Sequence, residues 1–214
     1  QINYGIHQRI SQAMDRAYSQ VNSIMEQAAS LIRRKEEATR TFGPTESYKR
    51  RQIEELKLFA TQHNLWININ SLPLSYLSKG GENEVFTGHE DVVFKLNNFE
   101  YAGEDLENFF IRIEAHNLFF SNVTYQMIGF AYNSQYEFCA VLVQPYVRAK
   151  REATEEEIAE HMQALGFEMV YEDEYHNAEY EVFDAVPNNV LYGIDDKLYF
   201  IDTQIRFRPI EITL

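Results

Sequence analysis

Ile10, Met14, Ala17, Val21, Ile24, Ala28 and Leu31 recur at alternating spacings of four and three, which lines them up as one apolar seam on a long helix. The stretch "FGPTES" breaks the pattern, and a second helical periodicity runs through Ile53, Leu56 and Ala60. Residues 5–63 therefore read as two helices in a hairpin. Three heptads make a marginal coiled coil, so the seam either docks on the domain that follows or forms a homodimer, and docking is the simpler reading.

From "LWININ" onward the apolar period shortens to two, and strands are predicted at 67–69, 74–78, 84–88 and 91–96. A helix runs through "EDLENFFIRIEAHNLFF", whose aromatic pairs read as core. Strands around "QMIGFAYN" and "YEFCAVLVQPY" then fit an antiparallel meander. The segment "ATEEEIAEHMQALGF" is a helix with its own punctuation: Thr154 caps the start, Glu157 completes a capping box and Gly166 ends it. "EMVYEDE" and "YEVFD" read as a hairpin with an acidic, tyrosine-rich turn, and "NVLY" with "KLYFID" as another. The class is α+β.

Charge divides the same chain. Residues 1–64 carry 10 Lys/Arg against 7 Asp/Glu, and residues 65–214 carry 9 against 26, within a net charge of −14. The shift marks a boundary between a helical arm, 1–64, and an acidic domain, 65–214. Such a domain repels phosphate backbones, which argues against nucleic acid as a partner. "IRRKEE" and "YKRRQ" read as solvated helix faces. The acidic "YEDEYHNAEY" could attract a basic partner, although an exposed turn is the plainer reading. Cys139, the one cysteine, lies in "FCAVLV" and excludes a disulfide framework, which fits the cytoplasm. No apolar run reaches the roughly 18 residues of a membrane helix. His89, His116, His161 and His176 lack metal-ligand spacing. Opening on Gln1, the sequence reads as a piece of something longer.

Several polar motifs fall in a definite order. In "KGGENEV", Gly80 and Gly81 precede a strand containing Val85, and backbone amides approach a phosphate only where side chains are absent. "VVFK" ends on Lys95, and Glu114 follows nineteen positions later on the helix. "LVQPYV" comes next, containing Val143, Gln144 and Tyr146. In "FDAVPNNVL", Asp184 and Asn189 stand five apart around a proline, and Asp202 of "YFIDTQ" lies thirteen further on.

This order resembles that of a protein kinase. The resemblance implies a glycine-rich loop at Gly80 and Gly81, with Asn83 where a third glycine is usual and Val85 over the adenine. It implies a phosphate-binding Lys95 held by Glu114, a hinge with Val143 near the gatekeeper position, and adenine contacts from the backbone of Gln144 to Tyr146. Asp184 would be the catalytic base, and Asn189 and Asp202 the Mg²⁺ ligands beside ATP. Val182 and Phe183 replace the usual His-Arg, "DTQ" replaces "DFG", and twelve residues follow Asp202, so the domain would be minimal and without the usual phosphorylation switch.

Taken with the capped helix ending "LGFE", the chain over about residues 70–205 resembles the serine/threonine/tyrosine kinase-like domains of bacterial polyvalent proteins, which belong to mobile elements. That resemblance implies an N-lobe over about 70–146, a reduced C-lobe over about 147–214, and phosphate transfer from ATP to a protein or small-molecule hydroxyl. A nucleotide-binding pseudokinase and an adaptor with no nucleotide site are the alternatives.

Overall fold

The structure, a computed structural model, describes residues 23–39, 48–88 and 91–209. Ile10 to Val21 of the apolar seam, the "FGPTES" break and His89 lie outside the described residues. Four α-helices are described: α1 (Ser23–Thr39), α2 (Tyr48–Gln62), α3 (Glu107–Phe119) and α4 (Glu155–Ala164). None is long and apolar enough to cross a membrane. The chain divides into two compact units. One comprises the chain up to Phe110 together with Tyr125–Tyr146, and the other Ile111–Thr124 together with the chain from Val147 on.

The first unit is built on an antiparallel sheet of β1 (Ser75–Lys79), β2 (Asn83–Thr87), β3 (Val92–Asn97), β4 (Gln126–Tyr132) and β5 (Phe138–Pro145), in the order β1-β2-β3-β5-β4. The last two strands pair antiparallel with each other as expected, and it is β5, not β4, that lies beside β3. The reason lies in its composition: Phe138 to Val143 are all buried, so this strand needs cover on both faces and takes an inner position. Cys139, Val141 and Val143 share one face and pack with Val92, Phe94 and Leu96 of β3. Cys139 is fully buried, and desolvation pushes its thiol up to about 12. Phe130, Phe138, Phe99 and Phe109 form a run of ring contacts 4.8 to 5.9 Å apart.

The strand expected at 67–69 is absent. Residues Ile69–Ser71 form a 3₁₀ turn, and Leu65 and Ile67 instead exchange backbone hydrogen bonds with Phe130 at 2.9 and 2.8 Å. Gly129 makes that approach feasible, since a Cβ there would collide with the Leu65 carbonyl and press on Ile67. In α1, Met25, Ala28, Ala29 and Ile32 are buried within the chain itself, while the seam residues Ile24 and Leu31 are half-buried. Gln52 of α2 leads into α3, donating to Asp105 and accepting from the Leu106 amide, each at 2.8 Å.

The second unit holds two small antiparallel sheets. One is β6 (Ala149–Glu152), β10 (Val190–Gly193) and β11 (Leu198–Phe200), in the order β11-β10-β6. The other is β7 (Glu168–Tyr171), β8 (Glu174–His176), β9 (Tyr180–Phe183) and β12 (Gln204–Phe207), in the order β12-β9-β8-β7. The acidic turn of the sequence reading thus contains a strand of its own, anchored by buried Tyr175 opposite Val182. Helix α4 starts as expected, with the Thr154–Glu157 capping box formed in both directions. Arg151 grips Glu157 through two bonds of 2.7 Å and, with the Thr154 amide, holds its carboxyl down to about 2. Ile158 and Met162 bury the inner face of α4 against Val182, Val190 and Phe200.

Candidate active site

In the first unit, β1 and β2 are joined by the glycine turn, closed by the Gly80 amide donating to Asn83 at 2.9 Å. The two glycines differ. A side chain at Gly80 would meet open space, whereas one at Gly81 would run into the Tyr101 hydroxyl. Val85 pairs with Lys95 across β2 and β3. Lys95 points to the sheet face opposite Val92, Phe94 and Leu96, as strand alternation requires, and is only 5% exposed. Burying an ammonium is costly without a partner. Lys95 donates to the Tyr125 hydroxyl at 3.0 Å, with its nitrogen 5.0 Å from that ring's centre. Gln144 is buried in β5, and the Tyr146 amide donates to the Asp91 carbonyl at 2.8 Å.

The second unit carries Glu114, Asp184, Asn189 and Asp202. Glu114 is exposed on α3, whose buried side is fastened on either flank of Asp202. His116 bonds the Phe200 carbonyl at 2.8 Å, and Arg112 donates to the Gln204 side chain. Phe120 stacks on Phe200 with ring centres 4.3 Å apart. Asp184 follows β9 with φ +54°, a left-handed geometry that aspartate tolerates better than most residues.

The loop after it closes on itself. Asn189 donates its side-chain amide to the Asp184 carbonyl at 2.9 Å, and the Ile201 amide donates to the Asn189 carbonyl at 2.9 Å. The segment bearing Asp202 is thereby tied to the loop bearing Asp184. Although the Asp184 side chain reaches solvent, partial desolvation raises its carboxyl above the ordinary range, and the Asp173 and Asp202 carboxylates raise it further.

The structure thus gathers Asp184, Asn189 and Asp202 in one unit. Lys95, Gly80, Gly81, Val85, Gln144 and Tyr146 belong to the other. Sequence reasoning missed Tyr125, Tyr101, Arg112 and Gln204, whose partners lie far along the chain. It also missed Asp173, for which the acidic run was an available signal.

Among the described residues no group of three or more His, Cys, Asp or Glu side chains is placed to hold a metal ion. Asp184, Asn189 and Asp202 carry side-chain oxygens, the donor type that a hard cation such as Mg²⁺ takes. The carboxylates of Asp184 and Asp202 raise local negative charge that a hard cation offsets, and two protein oxygens suffice for an ion that keeps water and phosphate oxygens in its shell.

The first unit thus buries a strand lysine in an antiparallel sheet, and the second bonds an Asp-to-Asn loop to the segment of a further aspartate. The chain belongs to the family described as serine/threonine/tyrosine kinase found in polyvalent proteins, whose model matches residues 49–209, well over half its length. That match begins inside α2. No curated protein and no solved structure matches the chain.

Proposed function

We propose that the chain is an ATP-dependent phosphotransferase acting on a hydroxyl group. The observation that carries this reading is the Asp184–Asn189 loop, closed by a side-chain bond and tied to the segment of Asp202. Asp184 accepts the proton of the incoming hydroxyl, and its raised pKa brings it nearer to the base strength such a role needs at neutral pH. The acceptor oxygen bonds the γ-phosphorus as the bond to the β,γ-bridging oxygen breaks, so that ADP leaves with its electron pair. Asn189 and Asp202 hold Mg²⁺, which supplies positive charge to the phosphates.

Lys95 contacts the phosphates, and Gly80 and Gly81 present backbone amides to them. Val85 covers the adenine. Because the Tyr146 amide is engaged by Asp91 and Gln144 pairs with Val93 inside the sheet, an adenine addresses the Tyr146 carbonyl. In this reading residues 1–64 are an arm and 65–214 a minimal kinase domain of the cytoplasm.

A second reading, nucleotide binding without turnover, draws on Tyr101, whose hydroxyl fills the space beside Gly81. Calorimetry with ATP, with Mg²⁺ present and with it chelated, separates binding from its absence. Transfer of labelled phosphate then decides between the two readings. ATP binding that ignores chelation would remove the metal assignment.

A further inference from the structure

Strand β7 is the outer strand of its sheet, and all four of its residues are exposed, Met169, Val170 and Tyr171 by 54, 45 and 68%. Glu168 and Met169 pair in regular register with β8 and so point to opposite faces, and the exposure of both means that both faces of β7 are open there as well as its outer edge; between Met169 and Tyr171 the register shifts. An apolar edge of this kind is a template for one more strand.

The charge around it selects the occupant. From Glu168 to Glu181 the chain holds six carboxylates and neither lysine nor arginine. A second copy adding edge to edge would bring these carboxylates together, and nucleic acid or an anionic lipid surface would be repelled as well. An extended segment that alternates apolar residues with lysine or arginine meets both the open edge and the acidic border.

Direction matters too. β8 is antiparallel to both β7 and β9, so β7 runs parallel to β9, which leads into Asp184. The Tyr171 end of β7 therefore lies toward the Asp184 loop, and the Ala185 amide donates to the Asp173 carbonyl of the intervening turn at 3.3 Å. An added strand would stand roughly 14 Å from β9, a distance that about four or five extended residues span.

We propose that β7 receives an extended lysine- or arginine-bearing protein segment as an added strand, and that this segment carries the hydroxyl that accepts phosphate. The second half rests on the phosphotransferase reading, by the transfer written above. The first half does not.

The test uses the full chain and two fluorescein-labelled peptides of about twelve residues, one alternating valine and lysine around a single serine, the other with glutamate in place of lysine. Anisotropy is read without nucleotide. The lysine peptide should bind and weaken with salt, and the glutamate peptide should not bind. Glu168→Lys with Glu172→Lys should weaken binding roughly tenfold. Val170→Pro should also weaken it by blocking the edge, with the melting temperature of each variant checking that the fold survives.

Equal binding of the two peptides, no binding of either, or indifference to all three substitutions would overturn the docking strand. So would self-association of the parent in light scattering that Val170→Pro abolishes, which would make a second copy the occupant. Transfer to the serine is scored separately. Bound peptide without transfer removes the catalytic reading and leaves the docking strand, whereas transfer that ignores the β7 variants does the reverse.

Discussion

The side chain of Asn189 donates to the backbone carbonyl of Asp184 at 2.9 Å, closing a six-residue loop around Pro187. The bond fixes where the Asp184 carboxylate starts from, because it holds the same residue's backbone. Asn189→Ala should cost about 1 kcal/mol of stability, the usual worth of such a bond. It should also lower phosphate transfer by roughly a hundredfold or more, since it removes a proposed ligand as well as the closure. Urea unfolding and a transfer assay on the same preparation measure the two effects.

Asp184 itself should set activity against stability. Its carboxyl is raised in the folded state by desolvation, then by Asp173 and Asp202, so the folded chain holds a proton that the unfolded chain releases earlier. Stability is therefore lost as pH rises through the ordinary aspartate range toward the raised value, and the loss stays constant above it. Asp184→Asn should melt higher than the parent at about pH 7, by under about 1 kcal/mol given solvent screening, and should match it at about pH 3. Melting curves at both pH values check the sign, and the variant should not transfer phosphate.

Lys95 is a core residue as well as a proposed ligand contact. Lys95→Ala opens a void beside Tyr125 and should cost about 2 kcal/mol, whereas Lys95→Met keeps most of the volume and should stay within about 1 kcal/mol of the parent. Both should lose ATP binding in calorimetry. If Lys95→Met bound ATP like the parent, the lysine would be a structural residue of the sheet.

Gly129 is where the backbone of Leu65 to Ile67 comes against β4. A methyl group there meets a carbonyl oxygen that its own hydrogen bond holds in place, so Gly129→Ala should cost about 2 to 3 kcal/mol. At Gly81 the obstacle is the end of an exposed tyrosine that can swing aside, so Gly81→Ala should cost under about 1 kcal/mol. Denaturant midpoints of the two variants give the comparison.

What could be read from sequence was local. The capping box of Thr154 and Glu157 spans three positions, and the Asp184–Asn189 loop spans five, so their spacing carries their geometry. β6 was invisible because "AKRE" holds no large apolar residue and all four residues are exposed, leaving no alternation to detect. β8 was hidden in the acidic run because Tyr175 is its one inward residue. Ile67 and Ile69 imitated a strand, although the sheet position they suggested is taken by the Phe130 pairing made possible sixty residues away by Gly129. The Tyr125 partner of Lys95 is thirty residues distant, and no local pattern points to it.

Cys139 gives the first unit a built-in clock. Its thiol is fully buried on the inner strand β5, donates to the Glu137 carbonyl at 3.4 Å and is pushed up to about 12, so the reactive thiolate is scarce while the sheet stays shut. The sequence has no other cysteine. An alkylating reagent should therefore modify the native chain only as often as β5 is uncovered, and the labelling rate reports the opening of that one sheet. ATP with Mg²⁺, if bound through Lys95 on the neighbouring strand, should slow this labelling, and Gly129→Ala should speed it. A single mass-resolved time course would then register ligand, strain and core exposure through one sulfur atom.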